Sequence, residues 1–165
     1  MRGIVNVATG PHYRKGQVRL TRVFNNTFVR CWSAMPWNCP PHEEVPYAFK
    51  AYALHWAAKD FMTLLWCDAC IIPGPRPLDE LWEKIERDGY WFCKNYGFTN
   101  YEWTADSAYP DLFPSTFEAE HLEVEGGEKL NLARSTNKRI PHVIATAFGL
   151  SLKHEIGRAF LAEYF

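Results

Sequence analysis

The sequence predicts an α/β domain built on a mostly parallel central sheet. Three observations carry that expectation. Short apolar runs alternate with helical stretches along the chain. The run Leu64–Pro73 reads as a buried strand broken by a single carboxylate, Asp68. Leu78, Leu81, Trp82 and Ile85 recur with helical spacing and Gly89 follows as a stop.

Taken in order, Gly3–Ala8 is an apolar strand ended by Thr9, Gly10 and Pro11. A helix is expected over Arg14–Phe24 and a second strand over Phe28–Trp32. Met35–Pro46 is a proline-rich loop. Pro46 suits the first position of a helix running to Asp60. That helix is apolar on nearly every side, which predicts burial. The strand carrying Asp68 comes next. Pro77 then opens the helix ending at Gly89, with Glu80–Lys84 and Glu83–Arg87 spaced as i,i+4 pairs. Tyr90–Asn95 is a further strand. Short helices are expected near 106–110 and 114–122, with a turn at 125–128. Ile140–Phe165 reads as a helical C-terminus, broken near Gly149. No linker divides the chain, so residues 1–165 are expected to form a single domain.

Composition narrows the function. Hydrophobic residues make up 47% and charged residues 22%, as in ordinary globular proteins. A net charge of −1 without a long basic run argues against phosphate-driven nucleic-acid binding. No stretch has membrane-spanning length free of charges, and the N-terminus lacks a signal-peptide pattern. The odd count of 5 Cys, without a secretion signal, predicts reduced thiols and a cytoplasmic location. The seven Trp and eight Tyr suit ring-shaped ligands, although most are expected in the core.

Asp68 is the principal candidate site residue. A carboxylate delivered to the end of an apolar strand must be paired with a cation or await one, because stranding it costs several kcal/mol. In open α/β sheets, ligands bind outside the carboxyl ends of the strands. Lys50 is the second candidate. It points away from the face of His55 and Lys59, and it stands in a first helical turn, where the dipole disfavours a cation. It therefore either meets an anion or snorkels at the helix edge.

The order of motifs resembles the GT-A class of glycosyltransferases, the nucleotide-diphospho-sugar transferases. It comprises Val7-Ala8-Thr9-Gly10, Pro46-Tyr47-Ala48-Phe49-Lys50, Leu64-Leu65-Trp66-Cys67-Asp68, Pro77 to Ile85, and Gly89-Tyr90. The resemblance covers about the first two-thirds of the chain. It implies a Rossmann-like αβα sandwich that transfers sugar from a nucleotide-diphospho-sugar donor to an acceptor, which stays unidentified. The marker of the class is Asp-x-Asp at a strand end, whose carboxylates hold Mn²⁺ or Mg²⁺ on the diphosphate. Asp68 matches the first position, as metal ligand and catalytic residue. Cys70 stands at the second, and a thiol is a poor ligand for hard ions.

Three outcomes stay open. Asp68 holds the metal with waters and phosphate oxygens; Lys or Arg holds the donor without metal; or catalysis is lost, leaving a nucleotide-sugar-binding module. The resemblance also places Thr9, Gly10, Tyr13, Arg14, Lys50 and Trp66 at the donor. Asp106 is the candidate base for the acceptor hydroxyl, against the alternative of a helix N-cap. Trp103 is a candidate sugar platform, Glu102 a rival base, and His142 and His154 late candidate ligands.

A separate possibility is zinc or thiol chemistry at Cys67-Asp68-Ala69-Cys70. A strand opposes it, since residues three apart point to opposite faces.

Overall fold

A computed structural model of the chain describes residues 1–24, 27–74, 77–103, 135, 138 and 140–164. It divides into two compact units, Met1–Cys93 with Ala145–Phe165, and Lys94–Ile144. Five strands are described: β1 Arg2–Val7, β2 Phe28–Trp32, β3 Thr63–Cys67, β4 Tyr90–Thr99 and β5 Pro141–Ser151. The described helices are α1 Pro11–Val23, α2 Ala48–Ala57, α3 Asp79–Asp88, the short α4 Asn100–Trp103, and α5 Glu155–Tyr164.

The chain is α/β, and its sheet has the order β2-β1-β3-β5-β4. β1 runs parallel to both β2 and β3, but β5 is antiparallel to β3, with Leu65 opposite Gly149 and Cys67 opposite Ala147. The sheet is therefore mixed, not mostly parallel. The cause is the segment expected to be helical from Ile140. Pro141–Ser151 is a strand, exposed and half-buried residues alternating before it becomes wholly buried beyond Thr146. Val143, Ile144 and Thr146 are β-branched, and the period is two rather than 3.6. Helix resumes only in α5.

Each sheet face has its own core. On one, Val5, Leu64, Trp66 and Phe148 pack against Ala53 and Leu54 of α2, with Phe160 of α5 beside them. On the other, Ile4, Leu65 and Cys67 meet Leu20 of α1 and Trp82 and Ile85 of α3. The helices thus cover both faces of this unit.

Local chemistry sets the ends. Gly10 caps α1 and Pro11 opens it, three residues before the expected start. α2 begins at Ala48, two residues later than Pro46, because Tyr47 adopts a left-handed conformation (φ 64°) and its N–H donates to His42 Nδ1. Gly89 closes α3 at φ 86°. On that helix Lys84 and Arg87 turn forward to Asp88 instead of back to Glu80 and Glu83.

In the second unit, Glu102 Oε2 accepts from Thr99 N and Oγ1 at 2.7 and 3.0 Å, closing the start of α4. The expected elements at 106–110, 114–122 and 125–128 lie outside the described residues. No helix among the described residues is long and apolar enough to cross a membrane.

Candidate functional site

The topology creates a switch point. β2 lies on one side of β1 and β3 on the other, so the chain leaves β1 one way through α1 and returns past it through α2. A ligand crevice forms outside the carboxyl ends of strands at such a reversal. Thr9 and Gly10 follow β1 there, and Asp68 follows β3. The register pairs Val5 with Trp66, which sets Val7 level with Asp68 two residues on.

Asp68 is paired. Lys50 Nζ stands 3.0 Å from its Oδ1 and 3.2 Å from its Oδ2. Trp66 Nε1 donates to Oδ1 at 2.7 Å, and the Asp68 N–H is held by the Thr146 carbonyl at 2.8 Å. Lys50 also donates to the Ala145 carbonyl at 2.7 Å and lies 5.4 Å from the Trp66 ring centroid. Lys50 is only 4% exposed, whereas the Asp68 side chain keeps 24%. The carboxylate, not the ammonium, is the member of the pair that a ligand can reach. Trp66 is fully buried, with Phe49 and Phe148 beside its ring, so it acts by orienting Asp68.

The β1 side is more open. Thr9 is exposed, and Gly10 caps α1 with no side-chain cap and no acid in the first turn. Tyr13 is 57% exposed. Arg14 Nη2 donates to the Ser33 carbonyl at 2.9 Å, and Arg14 lines a basic groove of about 510 Å³ with Lys15 and Arg22. Uncapped N–H groups with nearby cations form an arrangement suited to an anion.

Beneath this rim lie two polar side chains, Asn6 and Arg19, that brace the segment around Asp68. Asn6 is fully buried, donates to the Cys67 carbonyl at 2.7 Å and accepts from Gln17 Nε2 at 2.9 Å. It is a polar residue in an apolar run, as Asp68 is in the run that begins at Leu64. Arg19 donates to the carbonyls of Ala69 and Ile71, fixing the turn after Asp68. Tyr164, from α5, has no local signal at all. Burial, and secondarily the charge of Asp68, raise its phenol pKa.

The remaining candidates fall elsewhere. Asp106 lies outside the described residues, as does the Trp103 side chain. Glu102 is engaged at the start of α4, and His142 Nδ1 meets Asn95 Nδ2 at 3.2 Å within the second unit. His154 Nδ1 accepts the Ile156 N–H at the start of α5. No disulfide joins any of the five cysteines. Burial pushes Cys67 up to about 12 and Cys31 to about 11, and Cys70 is exposed while Cys67 is buried. Cys67 and Cys31 are therefore poorly suited to form thiolates near neutral pH.

The donor set can be tested against a divalent metal. Among the described residues no three His, Cys, Asp or Glu side chains gather. Asp68 brings one negative charge, already matched by Lys50, and the second position offers a thiol. Hard ions favour several oxygen ligands. The described residues therefore do not fit Mn²⁺ or Mg²⁺.

Beside the ion pair, a cavity of about 350 Å³ opens between the loop before α2, α2 itself and Tyr164. Fold and site together define an α/β domain with an ion pair at the switch point of an open mixed sheet. No protein-family model, characterised protein or solved structure matches the chain.

Proposed function

We propose that the chain binds a nucleotide-diphospho-sugar and acts as a GT-A-type glycosyltransferase whose strand-end carboxylate, Asp68, is neutralised by Lys50. The observation that carries this reading is the Lys50–Asp68 pair at the sheet's switch point, its ammonium buried and its carboxylate within reach of a ligand. Its support is twofold: the ligand crevice expected of the topology, and the order of motifs Thr9–Gly10, Tyr47–Lys50 and Trp66–Asp68. On this reading the fold is the Rossmann-like sandwich of that class, with one antiparallel strand beside β3.

Each residue has a task. Thr9, Gly10, Tyr13 and Arg14 take the nucleotide diphosphate at the start of α1. Lys50 neutralises Asp68, so the carboxylate can stand in a partly buried site. Asp68 accepts a hydrogen bond from a hydroxyl of the donor sugar. In transfer, the bond between the anomeric carbon and the phosphate oxygen breaks and the nucleotide diphosphate leaves with the electron pair. The acceptor oxygen bonds to the anomeric carbon, and its proton passes to Asp106.

A second reading, an inactive nucleotide-sugar-binding module, is favoured by Cys70, which stands where the Asp-x-Asp motif has its second acid.

A thermal-shift panel of UDP, GDP and their sugars, with and without Mn²⁺, tests both. A ligand at one hundred times its Kd adds about 2.7 kcal/mol, a rise of about 5–10 °C for a chain of this size. Metal-independent shifts with sugar transfer support the enzyme. Shifts with turnover only in Cys70→Asp support the module. No shift with any nucleotide ends both.

A further inference from the structure

We infer that the outer edge of β2 is the contact through which two copies of this chain pair, joining their sheets antiparallel about a two-fold axis at Arg30. The inference stands apart from the nucleotide-sugar reading and does not depend on it.

β2 ends the sheet order, and among the described residues it pairs with β1 alone. That pairing uses one side of the strand. The Ala8 N–H donates to the Trp32 carbonyl at 2.9 Å, so Trp32 turns its main-chain groups toward β1, and Arg30 and Phe28 do the same by alternation. Val29 and Cys31 turn theirs outward, and neither has an outward main-chain partner among the described residues. On either side of this stretch the chain closes its own edge. The Ser33 carbonyl accepts from Arg14 Nη2, and the Thr27 N–H donates to the Phe24 carbonyl. The open edge is therefore short and centred on Arg30.

A second copy fits it. With Arg30 on the axis, Val29 lies opposite the partner's Cys31. The Val29 N–H donates to that residue's carbonyl and the Val29 carbonyl accepts that residue's N–H; the axis repeats both bonds. Other registers fit worse. Setting Val29 opposite its own copy puts Cys31 against Thr27, whose N–H is already engaged. Setting Cys31 opposite its own copy puts Val29 against Ser33, whose carbonyl is held by Arg14.

The side chains agree with this register. Trp32 packs on the α2 face of the sheet and Val29 on the α1 face. Phe28 shares the face of Trp32, its ring centroid 6.3 Å from that of Phe61, yet it stays 63% exposed. In the pair, Phe28 lies opposite the partner's Trp32, an aromatic cross-strand contact that covers the ring its own chain leaves open. Arg30 lies opposite its own copy, which alone is unfavourable. Each Arg30, however, is ion-paired to Asp60, and both side chains are about half exposed. Across the axis the two pairs close an alternating ring of guanidiniums and carboxylates, so the charges complement each other.

Sedimentation equilibrium on the full chain under reducing conditions tests this, and should give twice the chain's 19.2 kDa. Cys31→Pro removes an outward N–H and leaves the bonds to β1 in place. Arg30→Glu leaves only carboxylates around the axis. Each should weaken association at least tenfold with far-UV circular dichroism unchanged. If Cys31→Pro loses its circular dichroism, Arg30→Glu, at an exposed site, decides. Under oxidation, Val29→Cys should form a bridge to the partner's Cys31, because opposed hydrogen-bonded residues stand about 5.5 Å apart at Cα, within disulfide range. Val29→Cys/Cys31→Ser should lose that bridge. A chain that stays monomeric up to millimolar concentration overturns the inference. So does a dimer that Arg30→Glu leaves intact, or a bridge joining the two introduced thiols to each other.

Discussion

At Lys50 a cation occupies the first turn of a helix, where the macrodipole opposes it, and it is almost wholly buried. Only a tertiary partner accounts for that placement, and Asp68 supplies it. Removing one member of such a pair leaves the other uncompensated, which costs about 3–5 kcal/mol when both are deeply buried. Asp68 keeps contact with water, so Lys50→Met is expected to cost less, about 2 kcal/mol. Lys50→Met/Asp68→Asn should recover part of that loss. Urea midpoints on a double-mutant cycle measure it, and strict additivity would show that the two charges do not depend on each other. This pair was half legible in the sequence. A carboxylate in an apolar strand announces the need for a cation, and the helical wheel turns Lys50 away from the solvated face. That each is the other's partner required the packing of α2 on β3.

Among the elements, α1 and the turn after β3 are the most tightly joined. Gly16 packs directly on the Ala69 backbone, and a Cβ there would overlap the Ala69 carbonyl oxygen. Arg19, one turn further along, grips the same carbonyl. The helix thereby fixes the segment that follows Asp68. Gly16→Ala must push backbone against backbone and is expected to cost about 2 kcal/mol or more. Gly74→Ala, with nothing within 4 Å of the added Cβ, serves as control and should stay within about 0.5 kcal/mol. Chemical denaturation checks both, with the midpoint falling in Gly16→Ala and the m-value unchanged. An unchanged midpoint would mean that α1 can slide on the turn at no cost. The strands and helices up to Gly89 were legible because their hydrophobic periods are clean. β5 was not. Its alternation begins in a β-branched stretch but runs into Ala147–Ser151, buried throughout, and that second half resembles a buried helix as well as it does a strand.

Across the whole molecule, the end of the sheet opposite the candidate site is held by charge. Arg2 grips Glu86 through Nε and Nη2 at 3.2 and 2.8 Å, and the Thr63 hydroxyl donates to the same carboxylate at 3.0 Å. The Arg2 guanidinium holds the Glu86 carboxyl at about 2, below its ordinary 4.5, against the opposing effect of burial. The folded state therefore binds its proton later than the unfolded one. The stabilisation is complete above pH 4.5 and is lost as pH falls through about 2. The urea midpoint of the wild type should exceed that of Glu86→Gln at pH 6, and the gap should close toward pH 2. A gap independent of pH would remove Glu86 from the acid response.

The sequence alone determined the α/β class, the apolar strand that leads to Asp68, the amphipathic helix stopped by Gly89, and the need of Asp68 for a cation; the strand it extended to Pro73 ends at Cys67, before a turn at Ala69 and Cys70. Each follows from local periodicity or from the cost of stranding a charge, and both act over a few residues. The tertiary structure alone decided that the sheet is mixed, that Lys50 is the cation, that Trp66 and the Thr146 carbonyl hold Asp68, and that Tyr164 lines the cavity beside it. Those outcomes depend on which strand pairs with β3 and which helices cover its face. Pairings between segments some eighty residues apart leave no mark in the period of either one.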